Sequence, residues 1–573
     1  MDVDQILRDV GEYGRYQQLM LWLVLLPAHL PYGFHSYSQL FMTLTPDHWC
    51  ASANASDHGR HSCDSSLRNS TQRCLDGVVY DQSRIGHEDT VVTLWDLVCE
   101  RSWLPPMALT LFEFGGFVGQ CVCIAVANRF GRRPTFFLFL GVQCLFGVLT
   151  CMAPDFLSFA AFRFMVGLTV SAVVSSPSIL AREIVGPSLR IQVWLMSYVA
   201  RSLGTLILSG IVFLVRDWTH LALVTTVPFS AFFLHWWVLP ESPRWLLSRG
   251  RYEEADRLLR AIGQSNGKTL PPDYIVNLKR RFRVESVLQD EKKKQKANSI
   301  GVVDLFKTPN LCRKTSTIII IWFTSTATYV GLTYYSLELE GEAHLHFFLS
   351  TVAEVMAIFF STCLLHRLGR RCTLCLCSAL GGTASLCIAT VNKGTATALI
   401  LYFVAKLSIS SSCVVLPLWS SELLPIVIRD QGLSMVDAFG LLGPVIMPFI
   451  MYQGRRYPIV PLAALGSCQL VGALAASTLP ETLHQRVLHT IEDGEEFGKH
   501  WTWKDCVRCG PPKLESKNGI LKNKGPPPQS PILSLLRRQD SLRCTNSNEG
   551  DPDPNECPSE QGSLVETVLV TVL

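Results

Sequence analysis

Long apolar runs constrain this chain more than any other feature. About twelve of them occur, each near the roughly 20 residues a helix needs to cross a hydrocarbon core. They lie near 18–41, 106–126, 135–152, 157–182, 193–214 and 219–239, then near 315–337, 345–365, 372–391, 395–418, 431–452 and 458–479. Charged residues make up only 17% of the 573, below the roughly 25% of soluble domains, and hydrophobic residues 48%. The net charge of +4 leaves no basic excess for nucleic acid. An all-α polytopic membrane protein is expected, not a soluble enzyme or a disulfide scaffold. Met1–Tyr16 is polar and mixed in charge, so the first run reads as a retained anchor.

Basic residues in short loops orient the spans. Asn128–Arg133 follows span two, His366–Arg371 follows span eight, and basic segments fill the gap between the sixth and seventh runs. Both termini then face the cytosol, with Arg455 and Arg456 as exceptions. The expected layout is a cytosolic terminus over 1–17, a six-helix bundle over 18–239 with an extracellular loop 42–104, a cytosolic linker 240–314, a second bundle 315–479, and a largely disordered cytosolic tail 480–573. The extracellular loop carries two sequons, at Asn54 and Asn69, and four cysteines, Cys50, Cys63, Cys74 and Cys99, enough for two disulfides in any of three connectivities. Glycosidase treatment of surface protein is expected to shift its mobility, and Asn54→Gln with Asn69→Gln to abolish the shift; an unshifted parent band would argue against this orientation or against sequon use.

The chain also repeats itself. Arg129-Phe-Gly-Arg-Arg returns as Arg367-Leu-Gly-Arg-Arg, 238 residues on. Glu183 with Arg190 returns as Glu422 with Arg429, offset 239, and Leu239-Pro-Glu-Ser as Leu479-Pro-Glu-Thr, offset 240. Six spans per copy give two parallel repeats, an architecture that holds substrate near the midplane between rocking bundles. A channel or receptor explains the repeat less well.

With CLDGVVYD (Cys74–Asp81), LWDLVCE (Leu94–Glu100), LPESPRWLLSRGRYEEA (Leu239–Ala255), SELLPIVIR (Ser421–Arg429) and LPET (Leu479–Thr482), the chain resembles the major facilitator superfamily and, more narrowly, solute carrier family 22, the organic ion transporters, over roughly residues 8–490. The resemblance implies a G-x-x-x-D-R-x-G-R-R switch loop whose acid pairs with nearby basic residues and a facing helix end. Here Ile124 and Asn128 stand for the Gly and Asp, and Thr362 and His366 in the second copy. The arginines Arg129, Arg132, Arg133, Arg367, Arg370 and Arg371 remain, together with Glu183, Arg190, Glu422 and Arg429. The latch is therefore weakened, or another group replaces the acid, unless the basic residues merely set topology.

Ionisable residues inside spans are costly and tend to face a cavity or a partner. Glu113, Arg201, Glu354, Lys406 and Asp437 stand out, with internal salt bridges as the alternative for any one. The resemblance places Glu354, Lys406 and Tyr329 at substrate-site positions, with Val330 where a second Tyr is frequent. It also puts Leu441 where cation carriers have Asp and anion carriers a basic residue; Asp437 lies one turn earlier on the same face. Tyr32, Phe34 and Tyr37, near Pro27 and Pro31, offer cation–π faces in a bent first span, or simply packing. Gly115 and Gly119 form a small-xxx-small motif.

In the tail, Cys506 and Cys509 form a lone CxxC, and Thr571-Val-Leu573 fits a PDZ ligand. No cofactor motif, metal cluster or catalytic triad is apparent, so no enzyme is expected. The expectation is a plasma-membrane secondary transporter of small organic ions, cations or zwitterions favoured, working by alternating access. An organic anion transporter, or a transport-inactive receptor or scaffold, is the alternative.

Overall fold

The computed structural model describes residues 3–50, 78–80, 89–271, 274, 279, 302–392, 394–483, 485 and 488–499. Asn54, Asn69, Cys63, Cys74, the CxxC and Thr571–Leu573 lie outside them, as do the side chains of Cys50 and His366. Among the described residues ten helices are long and apolar enough to cross a membrane. All twelve apolar runs are helical, but the first, sixth and eleventh are broken. The first passes from α-helix (Arg15–Met20) through a π turn (Leu21–Leu25) and a 3-10 turn (Pro27–His29) to α-helix again (Leu30–Met42). Pro27 lacks an N–H and its ring crowds the preceding turn, so the ladder re-forms around it. The sixth breaks after Trp218–Val224 and continues as a 3-10 helix, Val227–Trp237, where Thr225-Thr226-Val227 crowds χ1 ahead of Pro228.

Several helices outrun their apolar stretches. Span two is Leu104–Phe130 and span seven Pro309–Tyr335, the added turns carrying polar residues at one end of the bundle. The small-residue motif of span two is used as expected. A Cβ on Gly115 would meet the Phe164 carbonyl at 2.5 Å, and one on Gly119 the Leu168 carbonyl at 1.8 Å, so only glycine lets spans two and four approach this closely. The linker contributes the amphipathic helix Tyr252–Ser265, whose apolar face (Ala255, Leu259, Ile262) packs on Ile6 and Val10 of the helix Val3–Val10. The tail begins with order rather than irregular chain: Glu495 of the helix Ile491–Glu496 accepts the backbone N–H groups of Asn310 and Leu311 at 3.1 and 2.8 Å, capping span seven.

The two six-span halves meet at the end bearing the long loop through aromatic and polar contacts. Tyr37 and Phe41 place ring centroids 5.8 and 5.0 Å from Phe347, which is fully buried. Ser102 and Tyr452 share a 2.9 Å hydrogen bond, and Arg455 donates to Thr45 at 3.0 Å. In that loop, His48–Cys50 pairs antiparallel with Val78–Tyr80, and Cys99 is disulfide-bonded. At the opposite end, where the arginine loops lie, Arg244 reaches Asp430 across the halves at 3.5 Å, with both side chains well exposed.

Candidate substrate site and switch loops

The span-eight and span-ten residues meet as an ion pair. Glu354, in Ala343–Leu368, and Lys406, in Ala396–Leu423, lie 2.7 Å apart with side chains 2% and 0% exposed. Lys406 also donates to Thr333 Oγ1 at 2.5 Å and sits 4.2 Å from the Tyr329 ring centroid. Three of the anticipated site residues thus form one buried, neutral cluster, the salt-bridge alternative of the sequence.

The other acids are answered differently. Glu113 of span two accepts the Tyr334 hydroxyl of span seven at 2.7 Å. Two helical turns on, Gln120 donates to Asp437 of span eleven at 2.9 Å and accepts from Ser175 at 3.2 Å. Both acids therefore sit on the seam between halves, each held by a neutral donor from the opposite half. Arg201 of span five lies 3.9 Å from the Tyr198 ring centroid and 5.1 Å from that of Tyr32. Among the described residues none of Glu113, Asp437 and Arg201 forms an ion pair.

Leu441 falls at a break in span eleven, between Arg429–Gly440 and Leu442–Gly454. Its N–H still donates to the Asp437 carbonyl at 3.1 Å, so the one-turn relation holds. Beyond it, Pro444 cannot donate to the Gly440 carbonyl. The Thr326 hydroxyl of span seven takes that acceptor instead, at 2.6 Å.

The switch loops keep their acid from elsewhere. Gly131 and Gly369, at φ +104 and +86, each end one span and begin the next, and neither has a side chain to cap the new helix. Glu241 of the LPES segment accepts the Arg132 N–H at 2.8 Å, the Arg133 N–H at 3.3 Å and the Ser242 N–H at 2.9 Å. Glu481 of LPET accepts those of Arg370 and Arg371, both at 3.0 Å. A Cβ on Gly131 would lie 2.2 Å from Glu241 Oε2, so the glycine also makes room for the carboxylate. Burial pushes the Glu241 carboxyl up from its ordinary value, and the backbone donors pull it back.

Arg132 pairs with Glu183 at 3.1 Å and Arg370 with Glu422 at 3.2 Å, the same contact in each repeat. Asn128 contributes its backbone carbonyl, which accepts from Trp245 at 3.1 Å and from Arg249. Arg133 stacks on Trp236 and Arg129 on Phe130, while Arg367 is exposed. Arg190 and Arg429 donate to the carbonyls of Arg182 and Leu424, at 3.2 and 3.4 Å.

Sequence reasoning did not single out Tyr334, Thr333 or the capping role of Glu241 and Glu481. The LPE repeat was the one available signal for the last pair. It also passed over Arg163, a buried guanidinium in the fourth apolar run.

Two bundles related by a repeated switch loop, with polar residues gathered at their seam, define the architecture of a major facilitator transporter. The chain belongs to the sugar (and other) transporter family, matched over residues 86–490. It is 35% identical over 558 residues to the beta-alanine transporter of Drosophila melanogaster, covering 88% of this chain and 91% of that one. To the carcinine transporter of the same organism it is 34% identical over 564 residues, covering 91% and 83%. Human relatives at 29% and 31% identity are named organic cation/carnitine transporter 2 and organic anion transporter 3, in keeping with the organic-ion resemblance. The proton:xylose symporter XylE bound to 6-bromo-6-deoxy-D-glucose shares the fold, with TM-score 0.58 and 17% identity, covering 83% of this chain and 98% of that one.

Proposed function

We propose that the chain is a plasma-membrane secondary transporter of small organic cations or zwitterions, with both termini in the cytosol and substrate bound at the seam between halves. The carrying observation is the charge pattern there. Glu113 and Asp437 are held by neutral hydrogen bonds from Tyr334 and Gln120, leaving each carboxylate's charge for a substrate ammonium. Arg201, held by two tyrosine faces, leaves its charge for a carboxylate. A short amino acid or amine uses one or both poles, which fits relatives named for beta-alanine and carcinine. Glu354 and Lys406 cancel each other and act as a structural tie.

The test is uptake of a labelled organic cation, a labelled β-amino acid and a labelled organic anion by the parent, Glu113→Gln, Asp437→Asn and Arg201→Ala. At an effective dielectric near 20, opposite charges about 4 Å apart attract by about 4 kcal/mol before desolvation. Removing either acid is therefore expected to raise the apparent cation constant at least several-fold, and removing Arg201 to impair only the zwitterion. Cation uptake unchanged in both acid variants, with anion uptake lost in Arg201→Ala, would reverse the charge assignment. No saturable uptake by the parent would favour the scaffold reading.

A further inference from the structure

A second cluster of buried polar groups centres on Arg163 in the first half, beside the Glu113–Tyr334 contact of the seam. Arg163, seven residues into the span Phe156–Ile184, is 1% exposed. Its Nε donates to Gln39 Oε1 at 2.8 Å, one terminal nitrogen donates to the His35 carbonyl at 3.2 Å, and its guanidinium lies 4.9 Å from the Phe112 ring centroid. All three partners are neutral. The titratable groups that face it from other elements, His35, Cys151 and Tyr334, carry no negative charge at neutral pH. Among the described residues no carboxylate forms an ion pair with it, whereas buried guanidinium groups are ordinarily paired.

The face of Leu30–Met42 turned toward Arg163 is rich in unused polar atoms. His35, Ser38 and Gln39 recur at helical spacing, at 1%, 0% and 0% exposure. His35 Nδ1, Ser38 Oγ and Gln39 Nε2 each lack a hydrogen-bond partner. Because Gln39 turns its carbonyl to Arg163, its amide N–H groups are left as donors. One fixed positive charge is therefore buried against a helix segment that carries three unmet groups able to donate, the inventory that complements a small anion and that a cation would not tolerate.

We propose that Arg163, His35, Ser38 and Gln39 form a binding site for a small monovalent inorganic anion, chloride in physiological media. The helix that supplies three of the four also carries Tyr37 and Phe41, the residues that meet Phe347 of the other half. An anion here neutralises Arg163, sets the position of this helix, and thereby supports closure at the long-loop end.

The experiment uses the purified full-length protein in detergent, with sodium gluconate exchanged for sodium chloride at constant ionic strength. The unfolding midpoint of the parent is expected to rise saturably with chloride, by roughly 2–4 °C. Bromide and nitrate should substitute. Gln39→Glu places a carboxylate against Arg163 and should keep the high midpoint in gluconate while losing the chloride response. Ser38→Ala should retain the response but need several-fold more chloride. A parent midpoint equal in chloride and gluconate overturns the proposal, whether or not Gln39→Glu yields folded protein. So does a full chloride response in Gln39→Glu, which would mark the shift as a general salt effect. Neither reading depends on transport, so the site stands or falls separately from the substrate assignment.

Discussion

Lys406→Met is expected to destabilise the protein by about 3–5 kcal/mol, the loss seen when one partner of a buried ion pair is removed. The Glu354 carboxylate would be left 2% exposed, and among the described residues Lys406 is its only ion-pair partner. Glu354→Gln should cost less, because Lys406 keeps the Thr333 hydroxyl at 2.5 Å and the Tyr329 ring at 4.2 Å. The double variant Glu354→Gln/Lys406→Met leaves no bare charge and should be more stable than Lys406→Met alone. Thermal midpoints of the four proteins in one detergent close the cycle. Strict additivity of the two single changes would sink the pairing, and a double variant that melts normally but no longer transports would move the pair from structure to substrate handling.

How much of this was legible beforehand differs by kind of contact. The spans were, because a bilayer demands long apolar helices whatever their neighbours. The bend near Pro27 and Pro31 was equally open, since proline acts locally. The break in span six was not, because β-branched crowding before a proline carries less of a signature than an apolar run. Glu354 and Lys406 stood out as charges, but their pairing is a contact between spans 52 residues apart, which no local pattern encodes. The role of Glu241 was hidden for another reason: its partners are backbone N–H groups, and backbone leaves no residue-type trace. Tyr334 passed as one more aromatic in an apolar span, and Arg163 as one charge in a stretch otherwise fit for lipid. Leu441 was placed correctly relative to Asp437, yet the partner that takes up the Gly440 carbonyl left free by Pro444 is Thr326 from another span, which only the packed structure supplies.

The second large effect should come from the carboxylates that cap the third and ninth spans. Glu241→Gln and Glu481→Gln remove a charge from a helix N-terminus and replace an acceptor oxygen with an N–H₂ facing other N–H groups. Hydrogen bonds to a charged group contribute about 1.5–3 kcal/mol each, so a loss of about 2–4 kcal/mol per site is expected after partial rearrangement. The effect should be mechanical as well as energetic. Glu241 ties the start of span three to the segment after span six, and Glu481 ties span nine to the segment after span twelve, so each carboxylate adds a polar tie between distant parts of its half. Cysteines introduced at the two mouths should label with altered rates in both variants. Asn128→Asp, which restores the acid of the resembled motif, should change the stability by less than about 1 kcal/mol, because surface charge pairs of this kind contribute little and Glu241 already serves the helix end. If Asn128→Asp instead rescued Glu241→Gln, the two carboxylates would be interchangeable, and the Asp missing from the arginine loop would have been replaced in place by an acid 113 residues further along the chain. If it did not, Glu241 acts as a tie within its half, and the latch between halves rests on contacts such as Arg244 with Asp430, whose exposure makes it weak and sensitive to salt.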